Sequence, residues 1–290
     1  MPSRNILAAR NVAHLRGSAA RGALLAFDYD GTLAPISNDP TATRMRTETA
    51  ELLRALAHAA PVAIITGRSV HDVTLRLEGI PMLAVVGNHG AEPSRFAARA
   101  ARAVAAWMPT LEALVATLPE AVIEHKGQSV SVHYWRSTAP RVVVEAIERF
   151  AATVQPPATL VHGICLVNLV PRGAPDKGQA LRTLVTTHDR PGAVFVGDEL
   201  TDEPAFRAAA APTGLGIRVG RWKGSAAAWH IETQFDIDAL LTELLIGCTR
   251  PARSVRHDLS AAASGASDPG EAPDLGTERA EGTGADGEHG

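Results

Sequence analysis

The sequence predicts an α/β fold built on a parallel sheet, and three observations predict it. Short apolar runs stop abruptly at polar, glycine-containing turns. Leu24-Leu25-Ala26-Phe27 runs into Asp28-Tyr29-Asp30-Gly31-Thr32, Val62-Ala63-Ile64-Ile65 into Thr66-Gly67-Arg68, and Ala193-Val194-Phe195-Val196 into Gly197-Asp198. Continuous apolar runs of this length mark strands buried on both faces. Helix-period segments lie between such runs, as in residues 47–59 with Leu52, Leu53 and Leu56 on one face. Strand, helix, strand in that order gives parallel neighbours. The rhythm then breaks over residues 96–171, where alternating strand pairs appear, so an inserted α+β module is expected there.

The chemistry is expected at the carboxyl ends of the strands, where open α/β sheets collect their reacting groups. Asp28 and Asp30 are two apart and share one side of the chain, with Tyr29 pointing away. Two acids so placed repel unless a cation neutralises them, and oxygen ligands suit a hard ion such as Mg2+. Asp-Gly is also ordinary turn chemistry. An EF-hand loop does not fit, because its later acids and closing Glu are missing after Gly31.

Further along, Thr66 offers a hydroxyl and free amides to a phosphate at the second strand end, although Thr66 or Ser69 would equally serve as a helix N-cap. A third run, residues 82–86, ends in Gly87-Asn88-His89-Gly90-Ala91-Glu92. His89 is assigned no role in the chemistry. A helix is expected over 96–118, a hairpin over 122–127 and 129–135, a helix over 140–152, and strands over 159–162 and 164–170. Glu124, Lys126, His133 and Arg136 give this module a charged face, which is either a binding surface or a solvated hairpin face. Lys177 opens the next helix, where the dipole favours acids, so its placement suggests an anion nearby. Four acids then crowd the strand end at Asp198, Glu199, Asp202 and Glu203. Asp198 is the third expected metal ligand.

Composition narrows the classes. With 46% hydrophobic and 20% charged residues, the chain of 290 is that of an ordinary globular protein. A net charge of −3 gives no basic field for nucleic acid. Two cysteines, Cys165 and Cys248, support neither a disulfide framework nor a zinc site. No apolar run reaches membrane-spanning length, and the N-terminal arginines interrupt any signal peptide, so a cytoplasmic location is expected. Residues 1–22 read as a short helical segment, whose arginines also suit docking to a partner. Beyond 251 the sequence reduces to Ala, Gly, Ser, Pro and acids without periodicity, and a disordered acidic tail is expected over 251–290.

Taken together, Asp28-x-Asp30-Gly-Thr, Thr66-Gly-Arg68, Lys177-Gly and Gly197-Asp198-Glu-x-x-Asp202 resemble the four motifs of haloacid-dehalogenase-like (HAD) phosphatases. Finer features resemble the trehalose-6-phosphate phosphatase branch: Gly-Asn-His89-Gly-Ala-Glu92, Glu124-x-Lys126-Gly with His133-Tyr-x-Arg136, and Gly-Asp198-Glu-Leu-Thr-Asp202-Glu. The resemblance spans about 24–245. It implies a Rossmann-like parallel-sheet core at 23–95 and 172–250, with an α+β cap domain at 96–171. It also implies Mg2+-dependent hydrolysis of a sugar phosphate through an aspartyl-phosphate. Asp28 would be the nucleophile, Asp30 the acid and base, and Thr66 and Lys177 the phosphoryl-binding pair. Asp28, the carbonyl of Asp30, and Asp198 would bind the metal, with Glu199 and Asp202 behind them. Arg68, Glu124, Lys126, Arg136 and Asn168 would read the sugar. One departure stands out: the family carries Glu-x-x-Pro in the last cap strand, and here Asn168 takes the place of that acid. Another glycosyl phosphate is therefore an open alternative. A non-catalytic sugar-phosphate sensor would be expected to lack the nucleophile or the acid, and both are present.

Overall fold

The computed structural model describes residues 3–37, 42–163, 165–210 and 213–249. The acidic tail expected over 251–290 lies outside them.

The chain runs β1 (Arg4–Asn5), α1 (Val12–Ala20), β2 (Leu24–Phe27), α2 (Thr47–Ala59), β3 (Val62–Ile65), α3 (Val70–Arg76) and β4 (Ala84–Val86). It continues with α4 (Ala97–Val115), β5 (Val122–His125), β6 (Val130–His133), α5 (Pro140–Thr153), β7 (Ala158–Gly163) and β8 (Leu166–Pro171). Last come α6 (Lys177–Thr187), β9 (Ala193–Gly197), α7 (Glu203–Ala209), β10 (Leu215–Val219), β11 (Trp229–Ile231) and α8 (Ile237–Thr249).

Seven strands form one parallel sheet in the order β1-β11-β10-β9-β2-β3-β4. Its apolar runs are buried on both faces because alternate residues serve two cores. Leu25, Phe27, Val62, Ile64, Val194 and Val196 join one core with α1, α2 and α8. Leu24, Ala26, Ala63, Ile65, Ala193 and Phe195 join the other with α6 and α7.

The inserted module is a four-stranded antiparallel sheet, β5-β6-β8-β7. Here the pattern alternates because only one face is covered by helices. Val130, Val132, Val167 and Leu169 pack with Trp107, Leu111, Val143 and Ile147 of α4 and α5. The opposite face carries a cross-strand row of Glu124, Ser131 and Asn168. The architecture is thus a Rossmann-like α/β core with an inserted α+β cap.

One expectation needs correction. Within the segment expected to be helical over 1–22, the helix covers only Val12–Ala20, and Arg4–Asn5 is an edge strand on β11. Its cause is side-chain chemistry across that edge. Ser3 Oγ lies 2.9 Å from His230 Nδ1, and the Arg4 guanidinium stacks 4.1 Å from the Trp229 ring. Ile6 is fully buried beneath.

Candidate active site

Three neighbouring parallel strands deliver the acids and the hydroxyl to one edge. Phe27 of β2 lies opposite Ile64 of β3 and Val196 of β9, so Asp28, Thr66 and Asp198 follow at adjacent strand ends. Asp28 is 2% exposed, and its amide donates to Val196 O at 2.9 Å. Thr66 is fully buried. Asp198 follows Gly197 and accepts from Thr32 Oγ1 at 3.1 Å. A Cβ on Gly31, whose φ is +77°, would collide with the Asp198 carboxylate, so this turn needs glycine both for conformation and for room.

Lys177 enters from the first turn of α6, whose N-terminus is closed by an Asp176–Gln179 capping box. The side chain is fully buried. Its Nζ lies 2.7 Å from Asp202 Oδ1, 2.9 Å from Asp28 Oδ2 and 4.0 Å from Glu199 Oε1. Burial pulls its pKa down, but these three acids outweigh burial and hold Lys177 above its ordinary value. The anion expected near this lysine is therefore supplied first by the chain itself.

Asp202 is also fully buried. Its Oδ2 accepts from the amides of Asp198 at 2.9 Å and Glu199 at 3.0 Å. It fixes the Asp198 loop and Lys177 at once. Glu199 accepts from Thr201 Oγ1 at 2.7 Å.

Among the described residues, carboxylate oxygens of Asp28, Asp198 and Asp202 lie within 4.8 Å of one another. Asp202 was expected behind the ligands; the structure gathers it with them. Burial pushes Asp28 up to about 8, with Lys177 pulling it down and Asp202 and Glu199 pushing it up. Burial also raises Asp198 well above its ordinary value, with Asp28, Asp202 and Glu199 adding to the effect. Clustered, under-neutralised carboxylate oxygens fit a hard divalent cation.

Asp30 departs from this group. Both of its oxygens are taken by Arg68, from Nε at 2.7 Å and Nη2 at 2.6 Å. Arg68 also donates to Asp72 at 2.7 Å. Burial lowers the Arg68 pKa, yet Asp30 and Asp72 outweigh it and leave it raised. Arg68, expected to read the sugar, is in this structure a bidentate clamp on the expected acid and base.

The cap brings a second cluster. His133 Nε2 is 2.8 Å from Glu124 Oε2, and Lys126 Nζ is 3.6 Å from the same oxygen. Burial pushes Glu124 up, but His133, Lys126 and Arg68 outweigh it and hold the carboxyl below its ordinary value. Core Arg68 and cap Glu124 thus feel each other. Two further expected sugar readers have protein partners outside the Glu124 cluster. Asn168 is 3% exposed: its Oδ1 accepts from Ser131 Oγ, and its Nδ2 donates to Val161 O at 3.4 Å. It sits on β8, an inner strand of the cap sheet, in the same cross-strand row as Glu124, and its amide bonds sheet neighbours. Arg136 is exposed and stacks 4.2 Å from the Trp135 ring. Among the described residues no ion pair joins it to the Glu124 cluster.

His89, given no role from sequence, is 7% exposed, and among the described residues neither ring nitrogen has a hydrogen-bond partner. It packs against Gly67, and burial together with the charges of Lys177 and Lys126 holds it well below its ordinary value, as neutral imidazole. Its backbone sits at φ +57°, following Asn88 at +48°. The signal for this pair was the glycine-flanked strand end, but burial is not legible from one histidine.

Fold and site together define a haloacid-dehalogenase-like protein. The chain resembles the haloacid dehalogenase-like hydrolase from Bacteroides thetaiotaomicron, with a TM-score of 0.56 at 13% identity over 76% of this chain and 98% of that one. It superposes better on the C. albicans trehalose-6-phosphate phosphatase C-terminal domain, with a TM-score of 0.72 at 19% identity, covering 84% of this chain and 99% of that one. Residues 26–238 match the trehalose-phosphatase family model, and the chain belongs to that family. A trehalose-phosphate phosphatase of Mycobacterium avium (strain 104) is 34% identical over an alignment of 206 positions that covers 66% of this chain and 52% of that protein. The chain spans about half the length of such relatives. Among the described residues no helix is long and apolar enough to cross a membrane.

Proposed function

We propose that this protein hydrolyses trehalose 6-phosphate to trehalose and phosphate, with Asp28 as nucleophile. The observation that carries the reading is the buried Asp28–Lys177–Asp202 arrangement beside Asp198, roofed by a cap with a polar face. A buried lysine clamped between two acids is a fixed charge that needs no reorganisation during reaction.

Asp28 Oδ attacks phosphorus in line, and the bond from phosphorus to the sugar oxygen breaks. Asp30 gives its proton to the leaving oxygen, then takes a proton from the water that attacks the aspartyl-phosphate. To do so Asp30 must leave the Arg68 clamp, and the nearby cap carboxylate Glu124 is placed to feel the Arg68 charge. Thr66 and Lys177 hold the phosphoryl oxygens. Asp28, Asp198 and the carbonyl of Asp30 would hold Mg2+, with Asp202 beside them. The ion supplies positive charge against the phosphoryl oxygens when bound. Glu124 and Lys126 read sugar hydroxyls, His133 holds Glu124 in place, and cap closure excludes water.

A second reading, another glycosyl phosphate as substrate, is favoured by Asn168, which is neutral and tied into the cap sheet. Single-turnover reaction followed by acid quench and peptide mapping tests the common mechanism. A phosphoryl group is expected on the peptide carrying Asp28 and absent from Asp28→Asn. Phosphate release by Asp28→Asn at the parent rate would remove Asp28 from the chemistry.

A further inference from the structure

One buried side chain joins the two sheets. Asn88 is fully buried at the end of β4, in the left-handed backbone region that Asn tolerates better than most residues. Its backbone is stitched to the core: Asn88 N donates to Arg68 O at 2.8 Å, and His89 N to Thr66 O at 2.9 Å. Its side chain grips the cap. Oδ1 accepts from Ser129 Oγ at 2.8 Å, and Nδ2 donates to Lys126 O at 3.3 Å. The same Nδ2 donates to Glu92 Oε2 at 2.8 Å, and Glu92 accepts from Val70 N at 2.9 Å. Both amide donors and the acceptor are therefore committed, an arrangement that Asp or Leu cannot copy.

The two cap groups it holds are the ends of one tight turn. Lys126 N donates to Ser129 O at 3.0 Å, closing the β5–β6 hairpin. Fixing the Lys126 carbonyl and the Ser129 hydroxyl fixes where the Lys126 side chain leaves the turn. That side chain is only 12% exposed and reaches Glu124.

We propose that Asn88 is a cap-to-core latch, a positioning residue that sets Lys126 over the site without touching substrate. Its effect on kinetics rests on the phosphatase reading; the latch itself does not. A loosened hairpin leaves the core machinery intact but misplaces the ammonium that reads the sugar. The cost therefore falls on sugar phosphates and spares a small aryl phosphate with no hydroxyls to read.

The test compares the parent with Asn88→Leu and with the milder Ser129→Ala, which leaves the Asn88–Glu92 bond intact. Hydrogen exchange is followed at the amides of residues 126–133, and kinetics are measured on trehalose 6-phosphate and p-nitrophenyl phosphate. Exchange in the hairpin is expected to accelerate roughly tenfold in both variants, with a similar rise in KM for the sugar phosphate. Turnover of the aryl phosphate is expected to stay at the parent level. Unchanged exchange in both variants would overturn the latch. Equal loss on both substrates, or faster exchange with no change in KM, would overturn the positioning of Lys126. A parent that hydrolyses no phosphate ester would sink the phosphatase reading, while exchange would still judge the latch.

Discussion

Lys177 has no solvent to hydrate its ammonium, so the chain must neutralise it, and Asp28 and Asp202 do so at 2.9 and 2.7 Å. Removing one partner of a buried ion pair is far costlier than never having built it. Lys177→Met is expected to lower unfolding free energy by about 3 kcal/mol or more, read by denaturant titration, and to abolish turnover. An unchanged midpoint would mean that the two acids are neutralised by something else. The lysine was legible in the sequence because it sits at a helix N-terminus, the wrong end for its charge. The acids of the Asp198 loop were legible because four of them crowd one strand end. The partners that hold Asn168 and Arg136 were not. Spacing places Asn168 on a cap strand, but whether its amide faces a sugar or a neighbouring serine depends on the pairing of β6 with β8, which no local pattern reveals.

At the level of elements, α3 makes the strongest case for charge working as structure. Asp72 receives Arg76 through Nε and Nη2, each at 3.0 Å, and Arg68 through Nη1 at 2.7 Å. Burial pushes the Asp72 carboxyl up, but these hydrogen bonds outweigh it and hold the group below its ordinary value. A depressed folded pKa contributes stability above the unfolded pKa, and that stability is lost as pH falls through the folded one. Asp72 is 37% exposed, so solvent screens part of the effect. Asp72→Asn is expected to lower Tm near neutral pH, and the gap to the parent is expected to close below about pH 4. A gap that widens in acid would contradict this reading. The sheet's inner strands announced themselves as apolar runs. The edge strand β1 and its neighbour β11 did not, since two or three residues carry no period and the pairing of one with the other spans more than 220 positions, as Ser3 with His230 does.

Across the whole molecule, the core gathers the carboxylates of Asp28, Asp198 and Asp202, and the cap presents a polar row of Glu124, Ser131 and Asn168. Mg2+ is expected to raise the Tm of the parent, because an ion that binds only the folded state stabilises it by mass action. Gly31→Ala is expected to suppress that shift, since its Cβ would displace Asp198. A full Mg2+ shift in this variant would show that Asp198 is not a ligand. The two-layer plan was visible in the change of rhythm at residue 96. The fastening of cap to core was not, because Asn88 meets Ser129 across 41 positions through a single buried amide.

Phosphate release from trehalose 6-phosphate, glucose 6-phosphate and sucrose 6-phosphate, each with Mg2+ and with EDTA, tests the central claim most directly. The account predicts that trehalose 6-phosphate is turned over with the highest kcat/KM and that EDTA abolishes the reaction. Activity that survives EDTA, or a preference for glucose 6-phosphate over the disaccharide phosphates, would contradict it.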